Sequence, residues 1–224
     1  NMSKEKFNPL CNICNNELEL KATDESSKIH PSSIYGITKQ HQEQLMLLTG
    51  KALHIPTVAL RFQNVYGPGQ SLSNPYTGIL SIFSTRILNG NNIDIYEDGK
   101  ESRDFIYIDD AVDATILALE KREANHQIFN VGSGVATSVF EVANILKKLY
   151  NSNIGIKISG KYRLGDIRHN YADLTKIKSV LDFKPKIDLI TGVSRFVAWA
   201  KTQKVNVDKY EDSIEELKQK GLIK

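Results

Sequence analysis

The sequence has few cysteines, no long apolar run and little excess charge of either sign. Its two cysteines, Cys11 and Cys14, do not form the disulfide framework of a small secreted protein. No apolar run approaches membrane-spanning length and the opening at 1–10 is polar, so we expect no signal peptide, no membrane association and a cytoplasmic location. The scattered basic residues and a net charge of +3 also predict no nucleic-acid partner.

Helical and extended segments alternate along a chain that is long enough to bury a core. Apolar residues at helical spacing predict helices at 33–49, 79–90, 111–121, 139–149, 174–181 and 189–201, with a weak one around 210–217. Extended patterns predict strands at 57–66, 93–96, 105–108, 127–131 and 154–158. We expect Asp109 or Asp110 to cap the third helix. The alternation predicts an α/β fold with some parallel strand pairing.

Tyr35 and Lys39 are four residues apart in a predicted helix, so their side chains share one face. A tyrosine titrates near pH 10, so acting as a base at neutral pH requires roughly 4 kcal/mol of phenolate stabilisation. A neighbouring ammonium group provides part of it. This spacing alone is weak evidence for a catalytic pair, because Tyr96 and Lys100 have the same spacing across the Asp98-Gly99 turn.

The surrounding motifs make the first pair specific. They are Pro31–Lys39 with Gln42-Glu43, Leu60–Pro68, Asp98–Lys100 with Arg103–Asp110, Asn130–Gly134, and Arg163–Asp166. In order and spacing they resemble the extended short-chain dehydrogenase/reductase family over residues 25–203. Within that family the chain is most similar to nucleoside-diphosphate-sugar 4-epimerases, particularly the dTDP-L-rhamnose type. The segment Gln70–Gly78 and the Cys-x-x-Cys insertion carry this likeness.

The resemblance implies the C-terminal part of a Rossmann-type doubly wound sheet plus a small α/β substrate-binding domain. Residues 1–30 would form the Cys-x-x-Cys insertion, and 31–135 the rest of the Rossmann domain, interleaved with substrate-domain segments near 70–100. Residues 136–203 would form the substrate-binding domain and 204–224 a C-terminal tail. The glycine-rich turn and the strands that hold NAD in the family are expected upstream, which leaves the NAD site incomplete in this chain.

The same resemblance implies the roles of individual residues. Tyr35 would take the proton from the sugar 4-hydroxyl while NAD accepts hydride, and Lys39 would bond the nicotinamide ribose and lower the tyrosine pKa. Phe62 and Val65 would line the nicotinamide. The residues implied at the nucleotide sugar are Asn64, Gly78, Ile79, Ile95, Tyr96, Arg103, Arg163 and Asp166. The two arginines would clamp the diphosphate, which suits their planar, permanently charged groups.

The implied function is NAD-dependent 4-epimerisation of a nucleoside-diphosphate sugar, dTDP-rhamnose-like or a UDP-hexose, in carbohydrate biosynthesis. We expect this chain alone to be inactive. A homodimer is implied because the helix of Tyr35 packs into a two-fold bundle in the family. Two alternatives stay open: a nucleotide-sugar 4,6-dehydratase, which needs an acidic pair upstream of Tyr35, and a catalytically inactive nucleotide-sugar-binding fragment.

Two further motifs have weaker interpretations. Gly132-Ser133-Gly134 imitates a dinucleotide fingerprint, but Thr137 occupies the third glycine position, so we interpret it as a tight turn. Cys11 and Cys14 could supply two of the four ligands of a structural zinc ion, with His30 as a third. Two ordinary reduced thiols are the alternative.

Overall fold

The computed structural model describes residues 7–74, 78–204 and 207–223. Its helices are α1 (Ile34–Ala52), α2 (Ile79–Leu88), α3 (Ile108–Glu120), α4 (Val139–Tyr150), α5 (Thr175–Leu181), α6 (Leu189–Ala200) and α7 (Tyr210–Gln219). Its strands are β1 (Val58–Phe62), β2 (Asn64–Tyr66), β3 (Ile93–Ile95), β4 (Ser102–Arg103), β5 (Phe105–Tyr107), β6 (Gln127–Val131), β7 (Thr137–Ser138), β8 (Ile156–Ile158) and β9 (His169–Asn170). The segment Gln70–Gly78 carries part of the resemblance to sugar epimerases. Its positions 75–77 lie outside the described residues.

Parallel pairing dominates, which confirms the α/β prediction. β1 pairs with β6, β2 with β5 and β3 with β8, all parallel, while β4 lies between the parallel β9 and the antiparallel β7. The predicted strand 57–66 is two strands, because the chain changes neighbour at Gln63. The Gln63 N–H donates to the Val131 carbonyl at 2.8 Å, and the next N–H, of Asn64, donates to the Asp104 carbonyl at 2.9 Å.

Two apolar clusters form the core. The first joins α2, α4 and α6 to β3 and β5, with Leu146 and Phe196 fully buried. The second joins α3, α5 and β6 around Phe129 and Ile177, which are also fully buried. Each such side chain contributes about 1.5–3 kcal/mol on burial. The periodic apolar residues that predicted the helices are therefore the ones that hold the layers together.

The predicted cap of the third helix is wrong. α3 follows β5 directly, so the N-cap residue is Tyr107, which makes no side-chain capping bond. Asp110 is instead buried and accepts hydrogen bonds from the N–H groups of Lys186 at 2.9 Å and Ile187 at 3.0 Å. Because the helix starts a turn earlier than its apolar pattern, the carboxylate falls inside the first turn and ties α3 to a distant loop.

The terminal helix α7 is packed into the structure. Tyr210, Ile214 and Leu217 fall on one helical face and are buried against Ile82 and Tyr96. Residues 222–223 also pair with the segment before Asp166, through a 2.9 Å bond from the Leu164 N–H to the Leu222 carbonyl and a bridge between Arg163 and Ile223. None of the helices in the described ranges is long and apolar enough to span a membrane.

Candidate active site

A cleft of about 850 Å³ gathers most of the residues that the sequence singled out. The predicted residues among its lining are Tyr35, Asn64, Val65, Gly78, Ile79, Ile95, Tyr96, Arg103, Arg163 and Asp166. Lys39 and Phe62 do not line it. Residues separated by more than 100 positions therefore meet in one concavity of the size that takes a small organic ligand.

Tyr35 lies in the first turn of α1, which two contacts hold in place. The Ser33 hydroxyl caps the helix by accepting the Gly36 N–H at 3.0 Å. Farther along, the Arg61 guanidinium of β1 donates to both carboxylate oxygens of Glu43, at 2.7 and 2.8 Å. This paired contact is geometrically specific and fixes α1 on the strand that leads into the cleft.

Tyr35 and Lys39 lie side by side, as their spacing predicts. The Lys39 Nζ is 5.5 Å from the centroid of the Tyr35 ring and also donates to the Gln42 side-chain oxygen at 3.2 Å. Tyr35 is 72% exposed and Phe62, at the end of β1, is 46% exposed. These side chains are accessible to a ligand, and the Lys39 ammonium lies within cation–π distance of the Tyr35 ring.

Arg103 is a largely buried cation at the wall of the cleft. Its Nη1 donates to the carbonyls of Ser102 and Arg168, each at 2.9 Å, and no carboxylate within the described ranges forms an ion pair with it. Burial lowers the pKa of Arg103, and the nearby carboxylates of Asp166 and Glu101 oppose that shift. Because a guanidinium stays protonated in proteins, a fixed positive charge faces the cleft.

Arg163 and Asp166 lie on a loop at the same cleft. Their closest side-chain atoms are 4.0 Å apart and both side chains are more than a third exposed, so the pair is loose. The loop is joined to the segment before α1 by a 2.8 Å bond from the Ser32 hydroxyl to the Gly165 carbonyl. Both charged groups therefore have donors or acceptors to offer a ligand.

Ile95 and Tyr96 form another wall together with α7, which the sequence did not connect with the site. The hydroxyls of Tyr96 and Tyr210 are 3.3 Å apart, and burial raises the pKa of Tyr96. Ser213, Ile214 and Leu217 also line the cleft. The only sequence signal was the apolar stripe of an otherwise charged helix, which indicates burial but not the surface it covers.

Glu101 is a second residue that the sequence missed. It lines the cleft, is 8% exposed, and one of its carboxylate oxygens has no hydrogen-bond partner. Burial, together with the neighbouring Glu97, raises the pKa of Glu101 to about 7. No motif pointed to it, because an isolated glutamate in a sequence is usually a solvated surface residue.

The glycine turn 132–134 is occupied by a side chain of the protein itself. The buried Asp104 carboxylate accepts the N–H groups of Ser133 at 2.7 Å and Gly134 at 3.0 Å, the Ser133 hydroxyl at 2.6 Å and the Ala172 N–H at 3.1 Å. A phosphate would need the same N–H groups. This occupancy agrees with the interpretation of the segment as a tight turn.

The cysteine pair gains no support as a metal site. Cys11 is half-buried, Cys14 is exposed, and both are free thiols. Hydrogen bonds from the backbone of Cys14 and Ile13 lower the pKa of Cys11. Within 7–74, 78–204 and 207–223, the one group of three potential metal ligands is Glu97, Asp98 and Glu101, which includes neither cysteine nor His30.

Comparison with known proteins gives the same relationship as the motifs. The profile of the NAD dependent epimerase/dehydratase family matches residues 15–132. A dTDP-L-rhamnose 4-epimerase of Burkholderia thailandensis is 40% identical over 169 residues, which are 75% of this chain and 46% of that protein.

Solved structures agree. UDP-glucose 4-epimerase of Thermotoga maritima with UDP-glucose matches at a TM-score of 0.73 and 33% identity, over 83% of this chain and 59% of that one. UDP-glucuronic acid 4-epimerase of Bacillus cereus, in complex with UDP-glucuronic acid and NAD, matches at a TM-score of 0.73 and 28% identity, over 82% and 57%. This chain thus spans about half the length of the relatives it matches. The chain belongs to the NAD dependent epimerase/dehydratase family.

Proposed function

We propose that this chain binds a nucleoside-diphosphate sugar in its cleft and supplies the acid–base residues of an NAD-dependent 4-epimerase. One observation carries the proposal: the cleft brings Tyr35 together with Arg103, Arg163 and Asp166. A phenol beside a lysine suits proton transfer at a sugar hydroxyl, while arginines suit a diphosphate. The nucleotide sugars bound by the Thermotoga maritima and Bacillus cereus structures support this ligand class.

The described residues fit one part of an NAD site. The exposed side chains of Tyr35 and Lys39 on α1 offer a phenol and an ammonium, and the exposed Phe62 at the end of β1 offers an aromatic face. The glycine turn 132–134 does not fit a cofactor pyrophosphate, because Asp104 already accepts its N–H groups. When bound, NAD would supply a hydride acceptor and donor. Tyr35 would hold and return the proton of the sugar hydroxyl, and Lys39 would stabilise its phenolate.

Two candidate substrates follow from the relatives, a dTDP-rhamnose-like sugar and a UDP-hexose. The dTDP-L-rhamnose relative favours the first and the UDP-glucose structure the second. Calorimetric titration of both ligands into this chain tests the binding step. We expect one-to-one binding that the substitution Arg103→Ala weakens about tenfold or more, since a charge-assisted bond contributes about 1.5–3 kcal/mol. If neither ligand binds, the proposal is refuted.

Catalysis has a separate test. We expect this chain alone to bind the sugar without converting it. In a protein that joins it to a glycine-rich NAD-binding segment, proton NMR of dTDP-rhamnose or UDP-glucose should show the 4-epimer, and Tyr35→Phe should abolish it. Persistence of turnover in the Tyr35→Phe variant would exclude this residue as the base.

The dehydratase alternative needs an acidic pair upstream of Tyr35, and the adjacent pair described there, Asp24 and Glu25, does not supply it at the cleft. Glu25 accepts the Asn130 N–H at 2.7 Å, Asp24 accepts two serine hydroxyls, and neither residue lines the cleft. A 4-keto-6-deoxy product in the NMR assay would establish the dehydratase alternative. Homodimer formation and a cytoplasmic location stay predictions from the sequence.

A further inference from the structure

A buried acid stands next to the positive wall of the cleft. Glu101 immediately precedes β4 and Arg103 ends it, so along an extended backbone their side chains project to the same face, and both line the cleft. Ser102, between them, points the other way and contacts the His169 ring at 2.9 Å. A ligand bound by Arg103 would therefore lie near the Glu101 side chain.

The protein itself leaves Glu101 incompletely satisfied. Glu101 is 8% exposed and its Oε2 has no hydrogen-bond partner. The two nearest carboxylates are already paired: Glu97 and Asp98 both accept from the Arg168 guanidinium. One oxygen from each of Glu97, Asp98 and Glu101 lies within 4.8 Å of the others. A third negative charge there is unfavourable, which favours the neutral carboxyl, and a neutral carboxyl can donate a hydrogen bond.

We propose that Glu101 is a further ligand-binding residue that, as a neutral carboxyl, donates a hydrogen bond to a diphosphate oxygen of the ligand beside Arg103. The inference rests on the nucleotide-sugar function proposed above. An ionised Glu101 would repel the same oxygen, so the affinity for a diphosphate falls as pH rises. A hydroxyl group or Mg²⁺ would prefer the ionised form, and each would give the opposite dependence.

The other charged groups around the cleft set the controls. Glu97 and Asp98 come from the turn before β4, Arg103 from β4, and Arg163 and Asp166 from the facing loop. Burial and the neighbouring Arg168 and Arg103 lower the pKa of His169. His30 also lines the cleft and is an ionisable side chain separate from the carboxylates around Glu101. His30→Gln is therefore the matched control for Glu101→Gln.

Calorimetric titration of this chain with UDP-glucose, whose diphosphate keeps a constant charge near neutrality, tests the inference. With the pKa of Glu101 at about 7, affinity should fall about tenfold between about pH 6 and pH 8. Glu101→Gln should bind with nearly constant affinity across that range, and His30→Gln should keep the wild-type dependence. An unchanged dependence in Glu101→Gln, a rise of affinity with pH, or a requirement for Mg²⁺ would overturn it.

A second measurement keeps the test independent of how the variant folds. In wild-type protein with ¹³C-labelled glutamate carboxyls, UDP-glucose should raise the titration midpoint of Glu101. A midpoint that stays constant or falls would overturn the inference. Failure of wild-type protein to bind UDP-glucose would overturn both proposals, whereas binding without any effect of Glu101 would overturn this one alone.

Discussion

Replacement of Asp104 by alanine should remove a large part of the stability of the protein. The carboxylate is fully buried and accepts four hydrogen bonds of 2.6–3.1 Å from Ser133, Gly134 and Ala172. Alanine would leave three backbone N–H groups without their acceptor. At about 1 kcal/mol or more each, with a further gain from the charge, the loss is about 3–5 kcal/mol. That is a large share of the 5–15 kcal/mol typical of a domain.

Urea unfolding followed by circular dichroism measures the effect, with an unchanged slope showing that the unfolded state is not altered. Asp109→Ala is the matched control, because Asp109 is exposed and forms only a 3.6 Å ion pair with Arg195. We expect it to change the free energy of unfolding by less than about 0.5 kcal/mol. A loss below about 1 kcal/mol for Asp104→Ala would show that the carboxylate does not hold the turn 132–134.

Three further substitutions test separate contacts. Because burial raises the pKa of Glu101 to about 7, the folded state gains stability from its proton at low pH and loses that gain as pH rises through 7. In thermal unfolding, Glu101→Gln should therefore be more stable than wild type by about 3 kcal/mol near pH 8 and by no more than about 1 kcal/mol near pH 5. Arg61→Lys, which cannot bridge both oxygens of Glu43, should lower the free energy of unfolding by about 1–2 kcal/mol in urea. Gly192→Ala should destabilise by about 1–3 kcal/mol in the same assay although alanine favours helix, because its Cβ would lie 2.2 Å from the Tyr66 hydroxyl.

For each of these predictions, one outcome would contradict the physical reason given for it. A stability gain from Glu101→Gln that is equal at both pH values would show that its ionisation is not linked to folding. No loss in Arg61→Lys would make the α1 contact dispensable, and a more stable Gly192→Ala would show that the Tyr66 ring moves aside freely. Ile190→Ala, on the exposed side of α6, is a control for the last and should change stability little.

Much of the secondary structure could be predicted, because helices and strands impose their periods on neighbouring residues. The apolar stripes of α4 and α6 and the run of β6 each placed an element within a few residues of its observed bounds. The cap of α3 could not be predicted in this way. Asp110 bonds a backbone segment more than 70 positions away, and no local pattern shows that contact.

The candidate site, too, could be predicted from the sequence only in part. Motifs named ten residues that do line one cleft, although their individual roles and the proposed domain division stay predictions. Glu101 and the four residues of α7 that line the cleft could not be identified from the sequence, because their relevance comes from burial beside the cleft. Tyr96 and Tyr210 are 114 positions apart, and only packing brings their hydroxyls together.

The sequence by itself determined the family, the α/β alternation and the side-by-side placement of Tyr35 and Lys39, because motif order and helical spacing are written along the chain. The tertiary structure alone decided which donors and acceptors are already used. It assigned the glycine turn to Asp104, left one carboxylate oxygen of Glu101 without a hydrogen-bond partner and packed α7 against the cleft. Satisfaction and burial of polar groups depend on contacts between distant segments, which no local pattern contains.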